Sequence, residues 1–282
     1  NDYSATTGSV SFAAGETSKT ITVPITDDTL FEGNESYSIT LTNPSSNASI
    51  DNAQNSVTTT ITDNDLQPTV SVTGETIIEG DMIDFSVALS NPSATATEVA
   101  LTLNSGTAIV GTDTTVPVQV SVDGGSSFTS VFVDTDGSFS VNVPANSTQG
   151  IIVRVPTVQD DIDEPTESIT LTASASGQAS ASTAIGSITD NDNAPVISIA
   201  GTTRLNETAA SGLANVASYT VALTNPSSVE IKVIVNIANG TAIADGDYNA
   251  STTQIVTFAP GQTNQVINVP IVDDTIYEGP ET

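Results

Sequence analysis

The chain has 282 residues, of which 33 are Asp or Glu and 4 are Lys or Arg, for a formal net charge of −29; Cys, His and Trp are absent. So negative a chain excludes nucleic-acid binding, which needs cations facing the phosphates, and argues against adhesion to anionic lipid. Without Cys or His the usual ligands of zinc, copper, iron–sulfur and haem are missing, disulfides are excluded, and neither Ser-His-Asp nor Cys-His catalysis can be assembled.

Acidity of this degree can mark disorder, but 37% of the residues are hydrophobic and they alternate in short runs, which reads as a folded, strand-rich protein. The first such run is 20–25, where Ile21, Val23 and Ile25 share one face and Thr the other. Tyr37, Ile39 and Leu41 follow, then Phe85, Val87 and Leu89, and later Tyr219, Val221 and Leu223. Period-two patterning with β-branched residues predicts half-buried antiparallel strands, and no stretch sustains a helical period. Asn43-Pro44-Ser45, Asn91-Pro92-Ser93 and Asn225-Pro226-Ser227 are turns after strands that end in Leu. Gly15, Asn146 and Gly261 occupy matching hairpin tips, where a left-handed backbone is tolerated. No apolar run reaches the roughly 20 residues of a bilayer span, so no membrane insertion of this segment is expected. No signal peptide opens the chain and Asn1 is not an initiator; the sequence reads as a window from a longer polypeptide.

An acidic phrase is written three times. Asp27-Asp28-Thr29-Leu30-Phe31-Glu32-Gly33-Asn34-Glu35 returns as Asp273-Asp274-Thr275-Ile276-Tyr277-Glu278-Gly279-Pro280-Glu281, with a looser copy between them, Gln159-Asp160-Asp161-Ile162-Asp163-Glu164-Pro165-Thr166-Glu167. Other landmarks recur around it in fixed order. A Glu opens the unit (Glu79, Glu207), a Gly-Thr-Ala turn and an Asp follow (Asp113, Asp247), and Ile-Thr-Asp-Asn-Asp closes it at 61–65 and 188–192. These divide the chain into 1–65, the C-terminal part of a unit; 69–192, a complete unit; and 196–282, the N-terminal part of a unit. The match of Asn1-Asp2-Tyr3 to Gly246-Asp247-Tyr248 sets the register of the first. Short Pro-containing linkers, Leu66-Gln67-Pro68 and Asn193-Ala194-Pro195, should couple the units stiffly. The middle unit carries extra sequence at about 114–142, which reads as an inserted β-hairpin with Asp-Gly turns.

Acidic runs are ordinarily solvated surface. These recur at corresponding positions after Val-Pro strand ends, in a chain with almost no Lys or Arg to neutralise them. Dense oxygen-only ligands suit a hard divalent cation, and Ca2+ fits best. A glycosidase pair would need a carboxyl held protonated in an apolar pocket and an aromatic-lined cleft; with 4% aromatics no enzyme activity is expected. Tyr3 and Tyr248, beside the site Asp, read as core anchors. The Asn-x-Ser/Thr triplets at Asn34, Asn47, Asn146, Asn206 and Asn249 are attributed to composition.

Glu79-Gly80-Asp81, Leu89-Ser90-Asn91-Pro92-Ser93, Gly246-Asp247-Tyr248, Val269-Pro270-Ile271-Val272-Asp273-Asp274 and Thr189-Asp190-Asn191-Asp192 together resemble Calx-beta domains. The likeness spans essentially the whole chain and is weakest within the insert. It implies tandem immunoglobulin-like antiparallel β-sandwiches, an all-β fold that the alternation also suggests. It further implies Ca2+ held by loops at one end of each sandwich. Carried over by position, the ligands would be Glu79, Asp113, Asp160, Asp161, Glu164, Glu167, Asp190 and Asp192 in the middle unit. The first unit would supply Asp2, Asp27, Asp28, Glu32, Glu35, Asp63 and Asp65, and the third Glu207, Asp247, Asp273, Asp274, Glu278 and Glu281. Gln159 departs from the pattern, standing where the first Asp of the pair belongs, so fewer or weaker ions are expected there.

The resulting expectation is a calcium-rigidified spacer in a large secreted or cell-surface repeat protein, extracellular, of the kind found in giant bacterial adhesins. Its partners would be neighbouring repeats, with self-association by strand pairing through the open edges of the outer units. The alternatives are a glycan- or protein-binding adhesive module and a regulatory calcium sensor.

Overall fold

A computed structural model of the chain describes residues 2–4, 7–207, 215–249 and 253–282; Asn1 of the Asn-Asp-Tyr match lies outside them. The described residues form strands and no helix. In the first unit these are β1 (Glu35–Thr40) and β2 (Ser56–Ile61), paired antiparallel. The strand expected at 20–25 is reduced to a single bridge, Ile25 to Tyr3. A strand needs a neighbour for its backbone N–H and C=O groups, and the reason it lacks one is visible in the third unit. There β17 (Asn264–Pro270), the counterpart of 20–25, pairs along its length with β14 (Val216–Leu223), which has no equivalent in 1–65.

The middle unit closes a full sandwich. One sheet runs β3 (Val70–Thr73), β5 (Met82–Leu89), β10 (Ile151–Pro156), β7 (Val118–Ser121), β8 (Thr129–Val131). The other runs β4 (Thr76–Ile78), β12 (Ser182–Thr189), β11 (Glu167–Ala175), β6 (Thr97–Ser105), β9 (Ser138–Val143). Alternate residues face inward: Ile83, Phe85 and Val87 from β5, Val99, Leu101 and Leu103 from β6, Ile151, Val153 and Val155 from β10, Ile169, Leu171 and Ala173 from β11. The chain changes sheets between β3 and β4 at Gly74, where a Cβ would come within 2.3 Å of the Ile185 carbonyl oxygen; only Gly permits the crossing. β4 then runs parallel to β12 and brings Glu79 beside the end of that strand.

The added sequence divides between the sheets. β7 and β8 form the hairpin and extend the first sheet beyond β10. β9, which the sequence reading placed inside the insert, pairs with β6 as a strand of the sandwich proper. Arg154 fastens the hairpin. Its Nε and Nη2 donate to the two carboxylate oxygens of Asp84, both at 2.7 Å, and its guanidinium lies 4.1 Å from the centre of the Phe128 ring.

In the third unit β13 (Ile197–Gly201), β14 and β17 make one sheet, and β15 (Ile231–Asn236) with β16 (Thr253–Phe258) the start of the other. A smaller core forms around Val221, Tyr248, Phe258 and Ile267. Tyr248 is buried there as an anchor and its hydroxyl donates to Asn239 Oδ1.

Candidate metal centre

Each acidic loop is pinned at its base and folded on itself by the same backbone bonds. The residue before the acidic pair donates its N–H to the carbonyl of the mid-unit Asp: Thr26 to Asp2 at 2.7 Å, Val158 to Asp113 at 2.9 Å, Val272 to Asp247 at 3.0 Å. Two residues past the second acid, an N–H returns to that acid's Oδ1: Leu30 to Asp28, Ile162 to Asp160, Ile276 to Asp274, all within 2.9 Å. These are Asx turns, which a short acidic side chain forms with its own loop. Asp113 and Asp247 each accept a 2.6 Å bond from the N–H four residues earlier, Ile109 and Ile243. The closing acid holds the far side of the loop. Asp63 Oδ2 accepts from Glu32 and Gly33 N–H, and Asp190 Oδ2 from Glu164 N–H.

Three trios of carboxylates result, Asp2–Glu32–Glu35, Glu79–Asp160–Asp192 and Asp247–Glu278–Glu281, each offering oxygens within 4.8 Å of one another. In the middle unit a hollow is lined by Glu79, Asp113, Asp160, Glu164, Glu167 and Asp190. The hollow of the first unit is lined by all of Asp2, Asp27, Asp28, Glu32, Glu35, Asp63 and Asp65. In the third, the charges of Asp274 and Glu207 bear on Glu278 and Glu281 respectively, while Asp273 stands outside the trio. Asp161 is exposed and lines neither trio nor hollow; it aligns with Thr29 and Thr275 of the other phrases, so this acid has no acidic counterpart.

Crowding leaves its mark on the protonation of these groups. Burial first, and then the charges of Glu167, Asp160, Asp113 and Asp190, push Glu164 up to about 7. Burial likewise raises Glu79, Glu167 and Asp192, with neighbouring carboxylates adding to it. In the first unit Glu35 and Asp2 share a hydrogen bond that raises Glu35 and lowers Asp2. Like charges held this close repel one another, so the cluster favours any positive charge that enters.

The donor set fits a hard cation. Glu79 is 8% exposed, with one carboxylate oxygen accepting from Asp160 N–H at 2.8 Å and the other, Oε2, buried without a partner; Asp192 Oδ2 is also buried and unpartnered. Buried acceptors left unpaired are costly and normally have a counter-group. Oxygens within 4.8 Å of one another can meet on one ion at the roughly 2.3–2.6 Å of Ca2+ contacts.

One participant escaped the sequence reading. Asn191 Nδ2 donates to Gln159 Oε1 and to the Glu79 carbonyl, and Gln159 Nε2 donates back to Asn191 Oδ1. In the first unit Asn64 Nδ2 donates to Asp27 Oδ1 at 3.2 Å. The middle residue of Asp-Asn-Asp therefore orients the loop's first position, whether Asp or Gln. Its recurrence at 64 and 191 was the available signal.

Solved structures similar to this chain include CBD12 from CALX1.2 (15% identity, 73% of this chain and 76% of that one, TM-score 0.31) and the calcium binding domain CBD12 of CALX1.1 (17%, 72% and 76%, 0.32). The apo form of the Calx CBD1 domain is another (16%, 44% and 96%, 0.30). At these TM-scores the likenesses carry no weight in the assignment. No curated protein matches. The Calx-beta domain family model, in contrast, matches residues 1–65 and 190–282, more than half of the sequence. With the recurring acidic loops on antiparallel β-sheets, that match places this chain in the Calx-beta family.

Proposed function

We propose that this segment binds Ca2+ at the three acidic loop clusters and serves as a stiff spacer within a large secreted or cell-surface repeat protein, of the adhesin type. The observation that carries the reading is the buried, unpartnered oxygen pair of Glu79 and Asp192 inside a cluster with no cation of the protein's own to neutralise it. Asp65 and Asp192 stand immediately before the two linkers, so an ion held there cross-links the acidic loop to the last strand at the joint. Emptied, the same cluster repels itself and the joint loosens. Each sandwich would add roughly 40 Å, from strands rising about 3.3 Å per residue plus loops.

The test is small-angle scattering during a Ca2+ titration, with calorimetry on the same samples. Maximum dimension should increase toward that of a rod and particle stiffness rise as calcium binds, with an affinity in the high-micromolar to millimolar range of extracellular modules. Binding below about 10 micromolar would favour a regulatory sensor instead. Unchanged dimensions and no heat of binding would overturn the reading.

A further inference from the structure

The two joints of this chain are built from the same protein-to-protein contacts. At the first, Phe31, fifth in its acidic phrase, forms a parallel bridge with Ser93 of the Asn-Pro-Ser corner in the following sandwich. Its N–H donates to the Pro92 carbonyl at 3.1 Å, and Ala94 N–H donates to the Phe31 carbonyl at 2.9 Å. At the second, Asp163, also fifth, bridges Ser227 in the same sense. Asp163 N–H donates to the Pro226 carbonyl at 3.1 Å, and Ser228 N–H to the Asp163 carbonyl at 3.0 Å.

The receiving corner is braced identically each time. Asn91 Nδ2 donates to the Leu66 carbonyl of the first linker and Asn225 Nδ2 to the Asn193 carbonyl of the second, both at 2.9 Å. The following sandwich's hairpin tip backs the corner, Asn146 N–H donating to the Ser93 carbonyl and Gly261 N–H to the Ser227 carbonyl. Ser93 and Ser227 are buried by this. The side chain at the fifth position is free to vary, Phe in one joint and Asp in the other, because the backbone makes the contact. Asp163 adds a bond of its own, its Oδ2 accepting from Ser227 Oγ.

The third phrase is presented in the same way. Its base is pinned through Val272 and its Asx turn made at Asp274. The residue just after the phrase is clasped by the Gly-Thr-Ala turn, Thr282 N–H donating to Thr241 Oγ1 as Ser168 N–H donates to Thr107 Oγ1. Yet its fifth residue, Tyr277, is 99% exposed and bridges nothing among the described residues. We infer that the backbone at Ile276, Tyr277 and Glu278 is a docking edge for the Asn-Pro-Ser corner of a further sandwich of this build. The two joints already formed supply the occupant's chemistry: an Asn to hold its linker, a Pro carbonyl to accept, and a Ser with a following N–H to donate. A second copy of this chain does not meet it, since corners 91–93 and 225–227 are already filled. The triplet Asn43-Pro44-Ser45 is a different turn, with Asn43 left-handed at φ 53° where Asn91 and Asn225 are not.

The register of the phrases, Glu281 on Glu35, allows a direct test: residues 1–282 continued without interruption by 37–282 complete the third sandwich and present a new Asn91-Pro92-Ser93 corner after it. The comparison protein is 1–282 continued by 37–65 only, which completes the sandwich and offers no corner. Amide exchange is read by fragmentation mass spectrometry in calcium buffer. Tyr277 N–H should exchange about ten-fold more slowly in the longer protein than in the shorter. In a Tyr277→Trp version, the single tryptophan should lose quencher access in the longer protein alone. Slow exchange at Phe31 and Asp163 in the same samples certifies folding. Equal exchange and equal quenching at 277 in the two proteins would overturn the inference. Because neither readout reports ion uptake, it stands or falls apart from the calcium reading.

Discussion

Residues 69–192 and residues 1–65 carry the same alternation of apolar and polar side chains, yet the first buries 22 apolar residues in one core and the second, among its described residues, buries none. Phe85 is fully buried in the middle sandwich, while Phe12 of the first unit is 57% exposed. An amphipathic strand is only half of a structure: its apolar face is worth about 25 cal/mol per Å2 when another sheet covers it, and nothing when none does. The third unit lies between these cases, having β13 to β17 but no counterparts of β11 and β12 to close its second sheet.

The sharpest way to break this comparison is to delete apolar volume in each region. Phe85→Ala should destabilise the middle sandwich by about 3 to 5 kcal/mol, and Phe12→Ala should change chain stability by less than about 0.5 kcal/mol, both read from denaturant midpoints. Comparable losses at the two positions would mean that the first unit has a core after all.

Removing calcium should come next in size. At a hundred-fold excess over Kd each occupied site adds about 2.7 kcal/mol, so the melting transition of the middle sandwich should fall markedly on chelation. Arg154→Met should cost about 1 to 2 kcal/mol, through the lost Asp84 pair and the Phe128 contact, and should speed amide exchange in β7 and β8 without touching β11.

The pH dependence has a sign that separates the empty cluster from the filled one. Glu164 is raised to about 7 and Glu79, Glu167 and Asp192 are raised as well, so the folded ion-free protein holds more protons than the unfolded chain between the ordinary carboxylate range and about pH 7. Its stability therefore rises as pH falls through that window and is lost as pH rises through it. In chelator, melting temperature should increase from pH 7.5 to 5.5. In calcium it should decrease over the same range, because protons displace the ion. Glu164→Gln should flatten much of the chelator profile and weaken calcium binding.

The smallest effect concerns the edges. In the middle sandwich β11 lies between β6 and β12, whereas β15, the counterpart of β6, and β1, the counterpart of β11, each have one open side among the described residues. Sedimentation velocity should show weak, concentration-dependent association as β1 of one copy adds to β15 of another. A chain that stays monomeric at high concentration would remove strand pairing as a mode of self-association.

What the residues alone made readable was set by local chemistry. Period-two alternation named the strands, the repeat of Asp, Glu and Asn named the loops, and the near absence of Lys and Arg implied that neutralising charge must come from outside. Three things needed the tertiary structure. The run at 20–25 has every local mark of a strand and is none, since its ladder partner is missing. Asp161 has the composition of a ligand, yet it is exposed and aligns with Thr29 and Thr275, while the acid of that loop that makes the Asx turn is Asp160. Asn91-Pro92-Ser93, legible as a turn, is half of an inter-sandwich joint. In each case the deciding factor is a hydrogen-bond partner or a facing sheet far along the chain, and a sequence pattern carries the request for such a partner without the answer.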